Sequence, residues 1–254
     1  MDLRDKVAVV TGGCTGIGRA TALALAAAGV RGIAASWTRS AEAADALVRD
    51  VPQPGCQVMT APADVADDAA VRAFAGDVLE RFGRVDVLVN NAGTTRPVPE
   101  GDLDGLGDEI WHELLDVNVV GAFRSTRAFA PELREASGAV VNVSSISAYR
   151  AGGSSIAYGV SKAAMLQLTR NLANALAPDV RVNAVAPGTV ATRWQTALHG
   201  EEGFAERALA ERGNVPLRRT AGPEHVAQAV LGLLGMDMVT GETVIVDGGK
   251  HIRY

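Results

Sequence analysis

Aromatic side chains, lysines, cysteines and histidines are all scarce in this chain, and each scarcity excludes something. Aromatics are 4% of the 254 residues, too few for a core of stacked rings. Alanine and valine are abundant instead, which suits close-packed helices on a parallel sheet better than a sandwich. The two cysteines, Cys14 and Cys56, make neither a disulfide framework nor a metal-ligand spacing. Four dispersed histidines (His112, His199, His225, His251) show no HExxH or paired arrangement, so no metal is expected. The net charge is −5, with arginines scattered rather than gathered, which gives no electrostatic footprint for nucleic acid or an anionic membrane. The apolar run from Ala20 to Val30 is too short to span a bilayer, and the start, Met1-Asp2-Leu3-Arg4-Asp5-Lys6, is too charged for a secretory signal. A cytoplasmic protein without nucleic-acid or membrane partners is the expectation.

What is present is a steady alternation of strand and helix patterns, with 28 glycines and 48% hydrophobic residues. There are no internal repeats, low-complexity tracts or linkers, so residues 1–254 read as one doubly wound α/β domain of the Rossmann type. The first strand pattern, 6–11, runs directly into Gly12-Gly13-Cys14-Thr15-Gly16-Ile17-Gly18 and then a helix over 16–28. Glycines there let the backbone approach a pyrophosphate, and the helix start presents free N–H groups to it. The spacing Gly12-x3-Gly16-x-Gly18 differs from G-x-G-x-x-G but makes the same kind of turn.

The second strand, 32–37, should end beside the adenosine ribose. An NAD site usually has an acid about 20 residues past the glycines. None occurs between Arg19 and Glu42, and Ser36-Trp37-Thr38-Arg39-Ser40 stands in its place. A carboxylate would repel a 2′-phosphate, whereas Arg39 can pair with one, so NADP(H) is expected over NAD(H).

Farther on come a helix (41–49), a strand (57–61) ending at Asp64-Val65, a helix (67–82), and a strand (85–89) leading to Asn90-Asn91-Ala92-Gly93. In such an architecture ligands bind at strand carboxyl ends. A helix is expected from 108 to about 134, bent near Asn118, because an asparagine inside an apolar helix is a poor local choice. Residues 189–221 lack a clean sheet pattern and carry Trp194, Leu198 and Phe204, which suits a helical lid. A strand (180–186), a helix (223–234) and a last strand and turn (243–249) complete the alternation.

The centre of the chain is the strand 139–143 with Ser144-Ser145, then a helix over 156–177 containing Tyr158 and Lys162. Four residues is about one helical turn, so the two lie on one face. An ammonium beside a phenol favours the phenolate and lowers a pKa that is ordinarily about 10, making an acid or base usable near neutrality. A serine at the end of the preceding strand could hold a substrate oxygen. Only three lysines occur in the chain, Lys6, Lys162 and Lys250.

Taken together, Thr11-Gly12-x3-Gly16-Ile17-Gly18, Asp64-Val65, Asn90-Asn91-Ala92-Gly93, Asn118, Ser145, Tyr158-x3-Lys162 and Pro187-Gly188 resemble the short-chain dehydrogenase/reductase family, over nearly the whole chain. The resemblance implies about seven parallel strands with helices on both faces, and usually a homotetramer. It makes Tyr158 the acid/base, with Lys162 lowering its pKa and binding the nicotinamide ribose. It prefers Ser145 over Ser144 for orienting the carbonyl, by the thirteen-residue interval to Tyr158, and gives Asn118 a water in the proton relay. It puts Gly12, Thr15, Gly16, Ile17, Gly18, Ser36, Arg39, Ala92 and Gly93 along the cofactor. Asp64 and Val65 fall at the adenine, Asn91 near the adenosine-side ribose, and Pro187, Gly188 and Thr192 along the nicotinamide.

The implied activity is NADPH-dependent reduction of a ketone to a secondary alcohol, with an NAD-dependent alcohol dehydrogenase or a non-catalytic NADP(H) sensor as alternatives. Ile146, Tyr149, Trp194 and Leu198 are the pocket candidates, with Arg150 and Phe204 behind them. Carrier-protein reductases are similar, yet dock their acidic partner partly through basic residues late in the Tyr/Lys helix. Here that helix ends Leu176-Ala177-Pro178-Asp179, which argues against a carrier-protein partner.

Overall fold

A computed structural model of the chain describes residues 1–52 and 55–253. Short apolar runs rich in valine and alanine form the strands, each followed by a helix. The order is β1 (Val7–Thr11), α1 (Gly16–Ala27), β2 (Gly32–Trp37), α2 (Ala41–Asp50), β3 (Gln57–Pro62), α3 (Asp68–Phe82), β4 (Val87–Asn90), α4 (Asp108–Leu115). A π-helical turn (Asp116–Val120) joins α4 to α5 (Gly121–Glu135). Then come β5 (Ala139–Val143), α6 (Ile156–Leu176), β6 (Arg181–Pro187), α7 (Arg193–Asn214), α8 (Pro223–Gly235) and β7 (Thr243–Val246).

The seven strands form one sheet in the order β3-β2-β1-β4-β5-β6-β7, and every pairing is parallel. Alternate residues of each strand feed opposite faces. Val7 and Val9 pack with Phe74, Phe129 and Leu172 under α3, α5 and α6. Ala8 and Val10 pack with Leu25, Leu47 and Val230 under α1, α2 and α8. Helices on both faces are what such two-sided strands require.

Strand order reverses between β1 and β4, which opens a crevice at their carboxyl ends. The register pairs Thr11 with Asn90 and Asn90 with Asn142, so three strand ends finish level along that crevice. Residues 191–220 leave the sheet and carry α7. One parallel bridge, Val190 to Ala221, closes the base of this excursion.

The expected helix over 108–134 is interrupted where the bend was placed, by one wide π turn. Buried Asn118 sits in it, and the bulge turns its amide inward. Single-turn π bulges of this kind commonly mark functional positions.

Candidate active site

The glycine turn is shaped by close approach. A β-carbon on Gly18 would lie 2.4 Å from the Gly12 carbonyl oxygen and 2.5 Å from Asn91 Nδ2. Gly12 and Gly16 have φ of +61° and +52°, a region that favours glycine. The first turn of α1 holds no acidic residue, and Thr15 at its N-cap makes no side-chain cap. The free N–H groups therefore face the crevice, as an anionic pyrophosphate needs. Asn91 braces the turn: its Nδ2 donates to the carbonyls of Thr11 and Gly12, both at 3.0 Å. Thr11 Oγ1 accepts from the backbone of Asn91 and Ala92, both at 3.1 Å.

A cavity of about 590 Å3 runs along the crevice. One end is walled by Ser36, Trp37, Thr38, Arg39, Asp64 and Val65. Ser36 Oγ accepts from Gly12 N at 3.3 Å, tying β2 to the turn. Arg39 is exposed and makes no hydrogen bond or ion pair among the described residues, so its guanidinium is free for a phosphate. Asp64 is engaged through Oδ1 by Ala66 N at 2.9 Å. Buried Val65 packs on Gly121, where a β-carbon would come within 2.7 Å of it.

The other end of the cavity holds Ser145, Tyr158 and Lys162. Helix α6 is started by Ser155, whose Oγ accepts from Tyr158 N at 3.2 Å, so Tyr158 is fixed in the first turn. The two serines after β5 divide their duties. Ser144 Oγ donates to the Lys162 carbonyl at 2.8 Å and is thereby occupied in holding strand to helix. Ser145 stands toward Tyr158, whose pKa its hydroxyl draws down. Ser145 Oγ accepts from Ser147 N at 3.1 Å.

The ammonium of Lys162 corrects an expectation. It lies 5.7 Å from the centroid of the Tyr158 ring and donates to the Val143 carbonyl at 3.1 Å. The Tyr158 pKa is raised, not lowered: burial pushes it up, and the Ser145 hydroxyl pulls it only part of the way back. A four-residue spacing makes the stems neighbours, but it does not fix where a long flexible side chain ends. Burial also lowers the Lys162 pKa, from 10.5 to about 8.

Asn118 is fully buried and clamps a loop. Its Oδ1 accepts from Thr94 N at 2.8 Å, while Nδ2 donates to Thr94 O and to Ser161 Oγ, both at 3.0 Å. Both amide hydrogens are used on protein atoms, so this side chain has none left to donate to a water. Gly93 fits between it and the lysine, since a β-carbon there would stand 3.1 Å from Asn118 Oδ1 and 3.4 Å from Lys162 Nζ.

Comparison with known proteins supplies the context for this geometry. The sequence profile of the enoyl-(acyl carrier protein) reductase group matches residues 12–251. A protein of Streptomyces violaceoruber, provisionally named ketoacyl reductase 2 of the granaticin polyketide synthase, is 44% identical over 247 residues, covering 97% of this chain and 96% of that one. The chain belongs to the short-chain dehydrogenase/reductase family. A 3-oxoacyl-[acyl-carrier-protein] reductase of Synechocystis is 36% identical, with 97% of each chain covered. Among solved structures, a short-chain dehydrogenase/reductase of Brucella melitensis described as a glucose/ribitol dehydrogenase superposes with a TM-score of 0.88 at 30% identity, covering 98% of both chains.

Within this family frame, most predicted cofactor residues do line the crevice: Gly12, Thr15, Ile17, Ser36, Arg39, Asp64, Val65, Asn91, Ala92, Gly93, Pro187, Gly188 and Thr192. Gly16 and Gly18 lie beneath it and shape the turn. The substrate-pocket candidates divide. Trp194 lines the cavity, whereas Ile146, Tyr149, Leu198 and Phe204 do not. Ile146 is buried in the short 3-10 turn after Ser145, and Tyr149 is 49% exposed at its end. Arg150 donates to the Lys250 carbonyl at 3.2 Å from an exposed loop, as a solvated loop arginine should. Sequence reasoning missed Cys14, Trp37, Thr94, Glu113, Val117, Val190 and Gln195 in the lining. Cys14 and Trp37 stood inside stretches already singled out, and Thr94 directly follows the Asn-Asn-Ala-Gly turn.

No helix among the described residues is long and apolar enough to cross a membrane, and none of their side chains cluster as a metal site.

Proposed function

We propose that this chain reduces a ketone to a secondary alcohol with NADPH, the ketone being a 3-oxoacyl group. The observation that carries the reading is a single cavity with a free arginine and a glycine turn at one end and Ser145, Tyr158 and Lys162 at the other. The crevice fits a dinucleotide in shape and charge: bare glycine backbone, an uncapped helix start without acids, and Arg39 unpaired. When bound, the nicotinamide supplies the hydride.

The chain's own residues do the rest. Tyr158, held protonated through neutrality by its raised pKa, donates its hydroxyl proton to the carbonyl oxygen as negative charge grows there. Ser145 donates a second hydrogen bond to that oxygen and orients it. Lys162, while protonated, places a positive charge near the tyrosine ring, which offsets part of the cost that burial puts on the phenolate left behind. Asn118 acts at one remove, by fixing Thr94 in the cavity wall. Gln195 and Trp194 line the same cavity from α7.

The 3-oxoacyl class is suggested by the relatives' names. For the carrier itself, Arg134 of α5, which reaches the end of α6 through the Ala175 carbonyl, is already paired with Asp179 at 2.9 Å, which leaves less positive charge there for an acidic partner. The homotetramer is likewise part of the proposal, supported by Val120, Phe123 and Val160 standing exposed on adjoining helices.

The test is loss of reduced-nicotinamide absorbance with NADPH and then NADH. The panel comprises 3-oxoacyl thioesters on coenzyme A and on a carrier protein, cyclic and aromatic ketones, diketones, keto sugars and steroids. Turnover of the 3-oxoacyl thioesters with NADPH preferred is expected. Silence across the panel despite NADPH binding would overturn the reductase reading.

A further inference from the structure

Beyond β7, residues 247–253 fold back on the lid in a way the cofactor cleft does not require. Buried Asp247 organises the turn, accepting from Gly249 N at 2.8 Å, His251 N at 2.7 Å and His251 Nδ1 at 2.9 Å. Gly248 and Gly249 have φ of +66° and +88°. A β-carbon on Gly248 would stand 2.7 Å from Val215, and one on Gly249 would stand 2.9 Å from Pro216. The two glycines therefore let the chain leaving α7 lie directly on the turn. Leu217 N donates to Gly248 O at 3.1 Å, and Arg253 Nη1 donates to Gly213 O at 2.8 Å.

Inside this seam Lys250 meets Glu211 of α7, whose side chain is 7% exposed. Lys250 Nζ also donates to Thr189 Oγ1 at 3.1 Å, and Thr220 Oγ1 donates to the other carboxylate oxygen of Glu211 at 3.0 Å. Thr189 and Thr220 each directly precede a residue of the Val190–Ala221 bridge. One partly buried cluster thus joins both roots of the lid, its helix and the turn after β7.

The other half of α7 is differently held. Gly200, at φ 71° and ψ 170°, interrupts the helix in a region that essentially only glycine occupies. A β-carbon there would touch nothing within 4 Å, so the glycine serves conformation and not packing. Trp194 and Gln195, the lid residues in the cavity wall, lie on the far side of this break.

From this arrangement we infer that Lys250 and Glu211 form a clasp that fixes the 201–214 half of the lid, so that the 193–199 half closes over the substrate about Gly200. Lys250 is a positioning residue for the ketone, acting through the lid. This rests on the ketone site proposed above, but only in its kinetic part.

The test compares full-length Lys250→Met, Lys250→Arg and Glu211→Gln with the unaltered chain, by two readouts. Limited tryptic cleavage within residues 193–214 should quicken about 10-fold in Lys250→Met, since local opening replaces a buried pair. With acetoacetyl-coenzyme A and NADPH, its KM for the ketone should rise about 10-fold, with kcat and the NADPH Kd within about twofold. Glu211→Gln should move the same way less far, and Lys250→Arg should stay close to the unaltered chain. Unchanged cleavage in both Lys250→Met and Glu211→Gln would overturn the clasp. So would a parallel loss of ketone KM, kcat and NADPH affinity, which marks general damage. Quickened cleavage with no ketone turnover even in the unaltered chain would uphold the clasp and sink the reductase reading.

Discussion

Two buried charges at opposite ends of the same sheet are treated in opposite ways. Asp86, beside the amino ends of β1 and β4, has a side chain with no exposure and more partners than it strictly needs. Lys6 lies at 3.2 Å, Val7 N donates at 2.9 Å, and Arg84 forms a bidentate pair with it. Lys162, at the carboxyl ends, is 5% exposed and has one backbone carbonyl as its acceptor. No carboxylate pairs with it among the described residues. Its pKa falls from 10.5 to about 8 through burial, which corresponds to a cost of roughly 3 kcal/mol while it stays charged. The amino edge is fastened for stability. The carboxyl edge keeps an under-satisfied cation where a bound ligand and a phenolate would use it, as functional sites commonly do at the expense of stability.

The strongest attempt to break this contrast is Asp86→Ala. It strands Val7 N and two cations, so unfolding free energy should fall by about 3–5 kcal/mol, while turnover per folded molecule stays unchanged. Denaturant titration together with active-site-normalised kinetics checks both halves. Lys162→Met should do the reverse. Ketone turnover is expected to drop at least ~100-fold, yet stability at neutral pH should hold or rise by up to about 3 kcal/mol.

The same contrast can be sharpened with pH. The folded protein holds the Lys162 proton less tightly than the unfolded chain does. The cost is therefore full below about pH 8 and fades as pH rises toward 10.5. The stability gap between Lys162→Met and the unaltered chain should close by about 3 kcal/mol across that window. In reduction, kcat/KM should be flat through neutrality and decline above about pH 8 as the ammonium discharges. A gap or profile independent of pH would mean the lysine is not under-satisfied. The smallest expected effect lies at the far end of the cavity. Arg39→Ala should raise the KM for NADPH about 10-fold and leave NADH use unaltered, as loss of one charge-assisted contact implies.

Much of this was legible in the sequence because the relevant signals are periodic or conformational. The strand runs, the glycine turn and the oddity of Asn118 inside a helix each report on the backbone, and the sheet and the π turn follow from them. The substrate wall was not legible. Ile146 and Tyr149 sit in a 3-10 turn with no repeating face, and Leu198 and Phe204 belong to a helix broken at Gly200. Side-chain direction there is set by tertiary contacts that no spacing announces. Lys162 illustrates the same limit within one helix: the i,i+4 relation placed its stem beside Tyr158, and tertiary contact with Val143 decided where the charge went.

The account's central claim is that Tyr158 delivers the proton in a cofactor site that does not otherwise depend on it. The most direct measurement is ketone-dependent NADPH oxidation by Tyr158→Phe beside the unaltered chain, with NADPH affinity taken from the same preparations. A fall of at least ~100-fold in turnover with affinity within about twofold is the predicted result. Turnover close to that of the unaltered chain would contradict it.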